Sequence, residues 1–222
     1  MERHDAEENL RVIRSLMEKA TIYRAISAPT ALVGGLLATT AGALMFWPFR
    51  QAASDHRVFF AVWMVVLGIT GVANVYFVRK DAKRRGERFI SPGMKMALLA
   101  LFPSHLTAAF ATIIAFGLAE GKFTWVEAWM YRVLPGIWCI LYGFGMLATA
   151  HFAPRSIWKL GWCFLLFGLL FLTWTLLSQP LFFGAEGGRN AHGLMGLTFG
   201  LFHVIYATCT WPRAKATEGA KG

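Results

Sequence analysis

Charge is missing from six long stretches of this chain, and that absence limits what it can fold into. Arg24 and Arg50 enclose 25 uncharged residues, Arg57 and Arg79 enclose 21, and Lys95 and Glu120 enclose 24. Further on, Arg132 and Arg155 enclose 22, Lys159 and Glu186 enclose 26, and Arg189 and Arg213 enclose 23. About 20 apolar residues in a helix cross the ~30 Å hydrocarbon core of a bilayer. Each stretch reaches that length. None shows the alternation over ~10 residues that marks a barrel strand. Lipid offers no partner to a bare backbone N–H or C=O, so the spans must be helices. The expected fold class is all-α, a polytopic six-transmembrane-helix bundle with spans at about 25–47, 58–78, 96–119, 133–154, 160–183 and 190–212.

Composition agrees. The chain is 56% hydrophobic and 15% charged, against about 25% charged in soluble domains. A disordered chain, a disulfide scaffold and an ordinary soluble enzyme are excluded on that ground. The first run is not expected to be a cleaved signal. Signal n-regions are short and basic, whereas Glu2, Asp5, Glu7, Glu8 and Glu18 precede this run.

Lys and Arg excess marks the cytoplasmic side. With the N-terminus inside, 17 of the 22 basic residues fall on the inner side, and only Arg50, Arg57, Lys122, Arg132 and Arg189 lie outside. Both termini are therefore expected in the cytoplasm, in the cell membrane. Trp47, Trp125, Trp129 and Trp174 then fall near the outer interface, and Trp158, Trp162 and Trp211 near the inner one, as aromatic belts do. The net charge of +10 calls for no nucleic acid. Its densest cluster, Arg79, Lys80, Lys83, Arg84, Arg85 and Arg88, reads as a topology anchor on anionic lipid at the cytoplasmic face, worth about 1 kcal/mol per basic residue.

The extramembrane pieces are short. Within residues 1–24, Leu10, Ile13, Met17 and Ala20 recur at helical spacing, and Glu7 and Arg11 form an i,i+4 pair. This predicts an N-terminal interfacial amphipathic helix, lying in the headgroup plane or docking a membrane-protein partner. The tail, 213–222, is polar and expected to be disordered. Residues 184–190 form an outer turn whose glycines match no phosphate-binding pattern. Cys139, Cys163 and Cys209 lie inside spans without a Cys-x-x-Cys pattern, and read as small packing residues.

Small residues predict where helices touch. Gly34, Ala38 and Gly42 repeat every four residues on the first span, and Gly196 and Gly200 on the sixth. Such spacing lets backbones approach in lipid, within one chain or between copies of a homo-oligomer. Pro29, Pro103 and Pro135 can kink their spans.

Ionisable residues inside lipid are functional candidates by default. Here they are His105, His151, His192 and His203, with Arg132 and Glu127 at an outer edge. His105 is residue 10 of the outward third run and His203 residue 14 of the inward sixth, so both lie at about the same depth on a 1.5 Å rise. His192 and His203, 11 residues apart, would share a helical face about 16 Å apart. Three readings follow. The histidines are paired packing residues on the glycine seam. They line a solute or proton path with Arg132, since histidine titrates near neutrality. Or His105 and His203 ligate a b-type haem, in preference to zinc, which wants four ligands.

A faint repeat, Tyr23-Arg24 with Tyr131-Arg132 and Leu37-Ala38-Thr39 with Leu147-Ala148-Thr149, hints at inverted three-helix halves. No span holds paired acids, and no catalytic triad or His-Glu-x-x-His pattern occurs. The reading that follows is a non-enzymatic small transporter, permease-like or accessory subunit with a polar seam between spans 3, 4 and 6. The alternatives are a haem-binding electron-transfer anchor using His105 and His203, and a structural partner subunit of a membrane complex.

Overall fold

Helix is the only regular structure among the described residues of the computed structural model, which are 6–15, 28–49, 51–84, 86, 89–90, 92–120, 124–150, 153–177 and 187–219. Residues 6–15 form α1. The longer helices are α2 (Ala28–Phe46), α3 (His56–Arg84), α4 (Pro92–Glu120), α5 (Thr124–Ala148) and α6 (Arg155–Leu177). The last helix comprises α7 (Gly187–Met195), a π-helical segment (Gly196–Phe202) and α8 (His203–Gly219).

Five helices are long and apolar enough to cross a membrane: α2, α3, α4, α6 and the Gly187–Trp211 part of the last helix. The apolar stretch of α5 is shorter, Val133–Ala148. Leu67, Val72, Phe110, Ile113, Leu170 and other large apolar side chains are exposed. In water this surface would be costly; in lipid it is the ordinary outside of a membrane protein.

Several boundaries differ from the sequence expectation. The fourth run was set at 133–154, but α5 begins at Thr124 and ends at Ala148. Charge bounded the expected span, yet Glu127 and Arg132 are helix-compatible residues and continue α5 at its N-terminal end. The tail from Arg213 was expected to be disordered, yet α8 is helical to Gly219. Ala214, Lys215, Ala216 and Glu218 are good helix formers, and a helix already started adds each residue cheaply. Of the predicted N-terminal helix, 6–15 is helical with Leu10 and Ile13 exposed; the rest of 1–24 lies outside the described residues.

Neighbouring helices run antiparallel, as their matched contacts show. Phe46 meets Gly193, Gly42 meets Gly196, and Gly35 meets Gly200 and Val204, so α2 and the last helix pass in opposite directions. Ala38 and Gly42 of the first span thus lie against Gly196 of the sixth within one chain, whereas Gly34 packs on Thr70 of α3 and Gly200 meets Gly35 and Thr39. A Cβ on Gly42 would stand 2.6 Å from Gly196 Cα, and one on Gly200 would stand 2.6 Å from the Thr39 backbone N. Glycine is required there because backbone fills the space. Gly143 and Gly161 serve α5 and α6 in the same way, a Cβ on Gly143 falling 2.8 Å from Gly161 O. These two glycines carry no four-residue repeat and escape a search for one.

The Leu-Ala-Thr echo does not survive in three dimensions. Leu37 lies at the middle of α2, whereas Leu147 lies at the end of α5.

The helices α3 and α4 are consecutive but hardly pack along their length. Asp55 caps α3 by accepting from the Arg57 backbone N–H at 2.8 Å. Arg57 then grips Glu120, at the far end of α4, through two bonds of 2.6 and 2.7 Å. His56 Nε2 lies 3.3 Å from the same carboxylate, and Phe60 packs edge-on against Phe116. The Arg57 guanidinium, by hydrogen bonding, holds the Glu120 carboxyl below its ordinary 4.5; partial desolvation opposes this and His56 adds to it. A lowered acid stabilises at pH above its unfolded pKa, and that contribution is lost as pH falls through the folded value. Acidification below the carboxylate range is therefore expected to lengthen the distance between spin labels at Val58 and Gly117. E120Q should lengthen it at neutral pH. An unchanged distance in both cases would show that the pair does not hold these ends together.

Candidate functional site

The π-helical segment decides where the histidines of the last helix go. Uniform α-helical phase would put His192 and His203 on one face. A π turn advances each residue by less than the α-helical ~100°. Across Gly196–Phe202 the phase slips, and the two imidazoles enter different clusters.

His203 packs between α5, α6 and the last helix. Its Nδ1 lies 2.9 Å from the Phe199 carbonyl and its Nε2 lies 2.9 Å from the Tyr142 hydroxyl. A carbonyl only accepts, so Nδ1 carries the proton and Nε2 accepts from the tyrosine O–H. His105 also packs edge-on with Tyr142, ring centroids 6.0 Å apart. Its Nδ1–H donates to the Leu101 carbonyl at 2.9 Å, which leaves Nε2 as an acceptor. His105 is exposed, while His203 is largely covered by Phe164, Phe199 and Tyr142. His105, Tyr142 and His203 therefore form one row across three helices. The expectation of equal depth for the two histidines rested on residue counting; the structure brings both onto one tyrosine. An ionisable-residue criterion passes over Tyr142. The available signal was a mid-span phenol, whose hydroxyl needs a partner in lipid.

That shared ring bears on the haem reading. Tyr142 contacts both imidazoles and engages His203 Nε2, the nitrogen a haem iron would need. As placed, the residues do not fit haem. Among the described residues, no group of three or more His, Cys, Asp or Glu could hold a metal ion.

His192 belongs to a second cluster. It is fully buried, and its Nδ1 accepts from Trp63 Nε1–H at 3.1 Å. Phe59 stands edge-on to the imidazole at 5.1 Å and stacks on Trp138 at 5.9 Å. Trp138 donates in turn to Thr112 Oγ1 at 2.9 Å, which ties the cluster to α4. Since Nδ1 accepts, the neutral imidazole has its proton on Nε2, and that buried N–H has no hydrogen-bond partner among the described residues.

The remaining candidates fall elsewhere. His151, Arg85 and Arg88 lie outside the described residues. Arg132 lies in the first third of α5, where its side chain is not described. Arg79, Lys80, Lys83 and Arg84 occupy the last turns of α3, with Lys80 Nζ 5.5 Å above the Tyr76 ring. Cys139 is buried, and Cys163 and Cys209 are exposed.

No known protein family matches this sequence, and no curated protein or solved structure shows significant similarity to it. The functional reading therefore rests on the residues alone.

Proposed function

We propose that the chain is a six-span, non-enzymatic integral membrane protein, permease-like or accessory to a larger membrane assembly. Its working element is the row His105–Tyr142–His203. Five apolar helices already make it a membrane-embedded protein. The remaining span, fourth in chain order, is α5, whose 25 residues suffice in length and whose apolar part packs between α4 and α6. The Lys and Arg distribution supports cytoplasmic termini in the cell membrane.

One observation carries the reading: the 2.9 Å hydrogen bond from Tyr142 to His203 inside the bundle, with His105 edge-on to the same tyrosine. Polar groups at membrane depth are costly and mark ion and proton pathways. A phenol passes a proton when it takes one from a protonated imidazole as it gives its own to a neutral one, and the turning of its O–H resets it. Such a row suits proton movement, alone or coupled to a solute.

The test is a pH gradient imposed on liposomes holding purified protein and a trapped pH-sensitive dye. The gradient should collapse faster than in protein-free liposomes, and Tyr142→Phe should slow this by about tenfold or more, a barrier change of ~1.4 kcal/mol. Folded wild-type protein that leaves the gradient as stable as in empty liposomes would overturn the reading.

A further inference from the structure

One face of α3 is left open by the other described residues. Gly68, Gly71, Val72, Val75, Tyr76 and Arg79 line a groove on it. Their spacing of three and four residues puts them on a single stripe. Thr70, on another face of α3, packs against Gly34 of α2. A Cβ on Gly68 or Gly71 would meet nothing within 4 Å, so the groove floor is open, unlike the crowded glycines of α2 and the last helix.

Two further features give this groove an occupant. It ends in positive charge: Arg79 is itself a lining residue, and Lys80, Lys83 and Arg84 follow within the same helix. One acid, Asp81, stands among them. Lys80 folds over the Tyr76 ring, beside the groove. The length also fits. Gly68 and Arg79 are 11 residues apart, about 16 Å along the axis, which is close to one leaflet of a ~30 Å hydrocarbon core. The groove therefore runs from mid-bilayer to the headgroup level and meets guanidinium and ammonium groups there.

We propose that this groove binds one anionic phospholipid, an acyl chain lying over Gly68 and Gly71 and the phosphate paired with Arg79 and its basic neighbours. Guanidinium groups recognise phosphate by paired donors. The glycines admit the chain, and the charges select the headgroup. The site is separate from the histidine–tyrosine row. It needs only that the basic end of α3 lies at a membrane interface, so its failure and that of the proton path are distinguishable.

The experiment uses the full chain in nanodiscs of phosphatidylcholine containing phosphatidylglycerol. After mild detergent extraction, native mass spectrometry counts retained lipid. Phosphatidylglycerol should be retained over phosphatidylcholine. Arg79→Gln should weaken that retention about fivefold, the effect of one basic residue at the surface. Gly71→Leu leaves the charge unchanged and enters open space, so the fold should tolerate it. It should nevertheless reduce retention to a similar degree by filling the groove. Wild-type retention in Gly71→Leu would overturn the proposal, because a diffuse basic cloud would then account for the lipid. Equal retention of both lipids would overturn it too. So would cross-linking of Gly71→Cys chains to each other in the same nanodiscs, since the groove would then seat a second copy.

Discussion

Replacing Gly200 by leucine is expected to separate α2 from the last helix and to lower stability by more than ~3 kcal/mol. Overpacking a well-filled interior costs about 1–3 kcal/mol when side chains can move aside. Here they cannot. The new Cβ alone would stand 2.6 Å from the backbone N of Thr39 and 2.8 Å from its Cα. Relief requires shifting a helix, and that shift reaches Gly42 against Gly196 and Phe46 against Gly193 along the same line. The measurement is the unfolded fraction of detergent-solubilised protein titrated with SDS. Gly71→Leu, with nothing near its Cβ, is the control and should change stability by no more than ~0.5 kcal/mol. Equal midpoints for the two variants would refute the close approach.

The second large effect lies at Trp63 and His192. Trp63→Phe should cost about 1–3 kcal/mol, because it strips the remaining partner from a fully buried imidazole. Adding His192→Leu should recover most of that loss. It removes the orphaned Nε2–H together with the unpaired Nδ1, and Phe59 and Trp138 already form an apolar wall for it. Replacing both partners of a buried polar pair by apolar groups is often neutral or better. The double-mutant cycle should therefore show a coupling above ~0.5 kcal/mol. Additive losses would mean that His192 holds the bundle by other contacts, and that the Trp63 bond matters little. The cycle reports packing; the gradient collapse assay reports the Tyr142 row. His192 and Tyr142 belong to separate clusters, so the double variant at Trp63 and His192 should leave gradient collapse as fast as in wild type.

The site was only half legible in one dimension. His105 and His203 could be paired by counting residues from the ends of their runs, because rise per residue is constant along a helix. Their mediator could not, since Tyr142 carries no charge and looks like any aromatic of an apolar run. The split between His192 and His203 was also hidden. Eleven residues of α-helix would align them, and nothing in Gly196–Phe202 announces a π-helical segment except its two glycines. Arg57 and Glu120 were visible as the ends of separate runs, 63 residues apart, and only the fold makes them one ion pair.

Sequence alone determined the medium and the scaffold: uncharged runs of membrane length oblige the chain to form helices, because in lipid each backbone group must find its partner within its own segment. It also singled out Ala38, Gly42, Gly196 and Gly200, small residues every four positions that do meet the facing helix, though Gly34 of the same repeat packs on α3 and Gly35 and Thr39 lay outside it. Which faces met, and which polar side chains shared a partner, was decided by the tertiary structure. Lipid pushes no two helices together by hydrophobicity, so selection falls to shape and to the few hydrogen bonds each pairing can complete. Those depend on atoms far apart in the chain, such as the Tyr142 hydroxyl and the His203 ring, which no local pattern records.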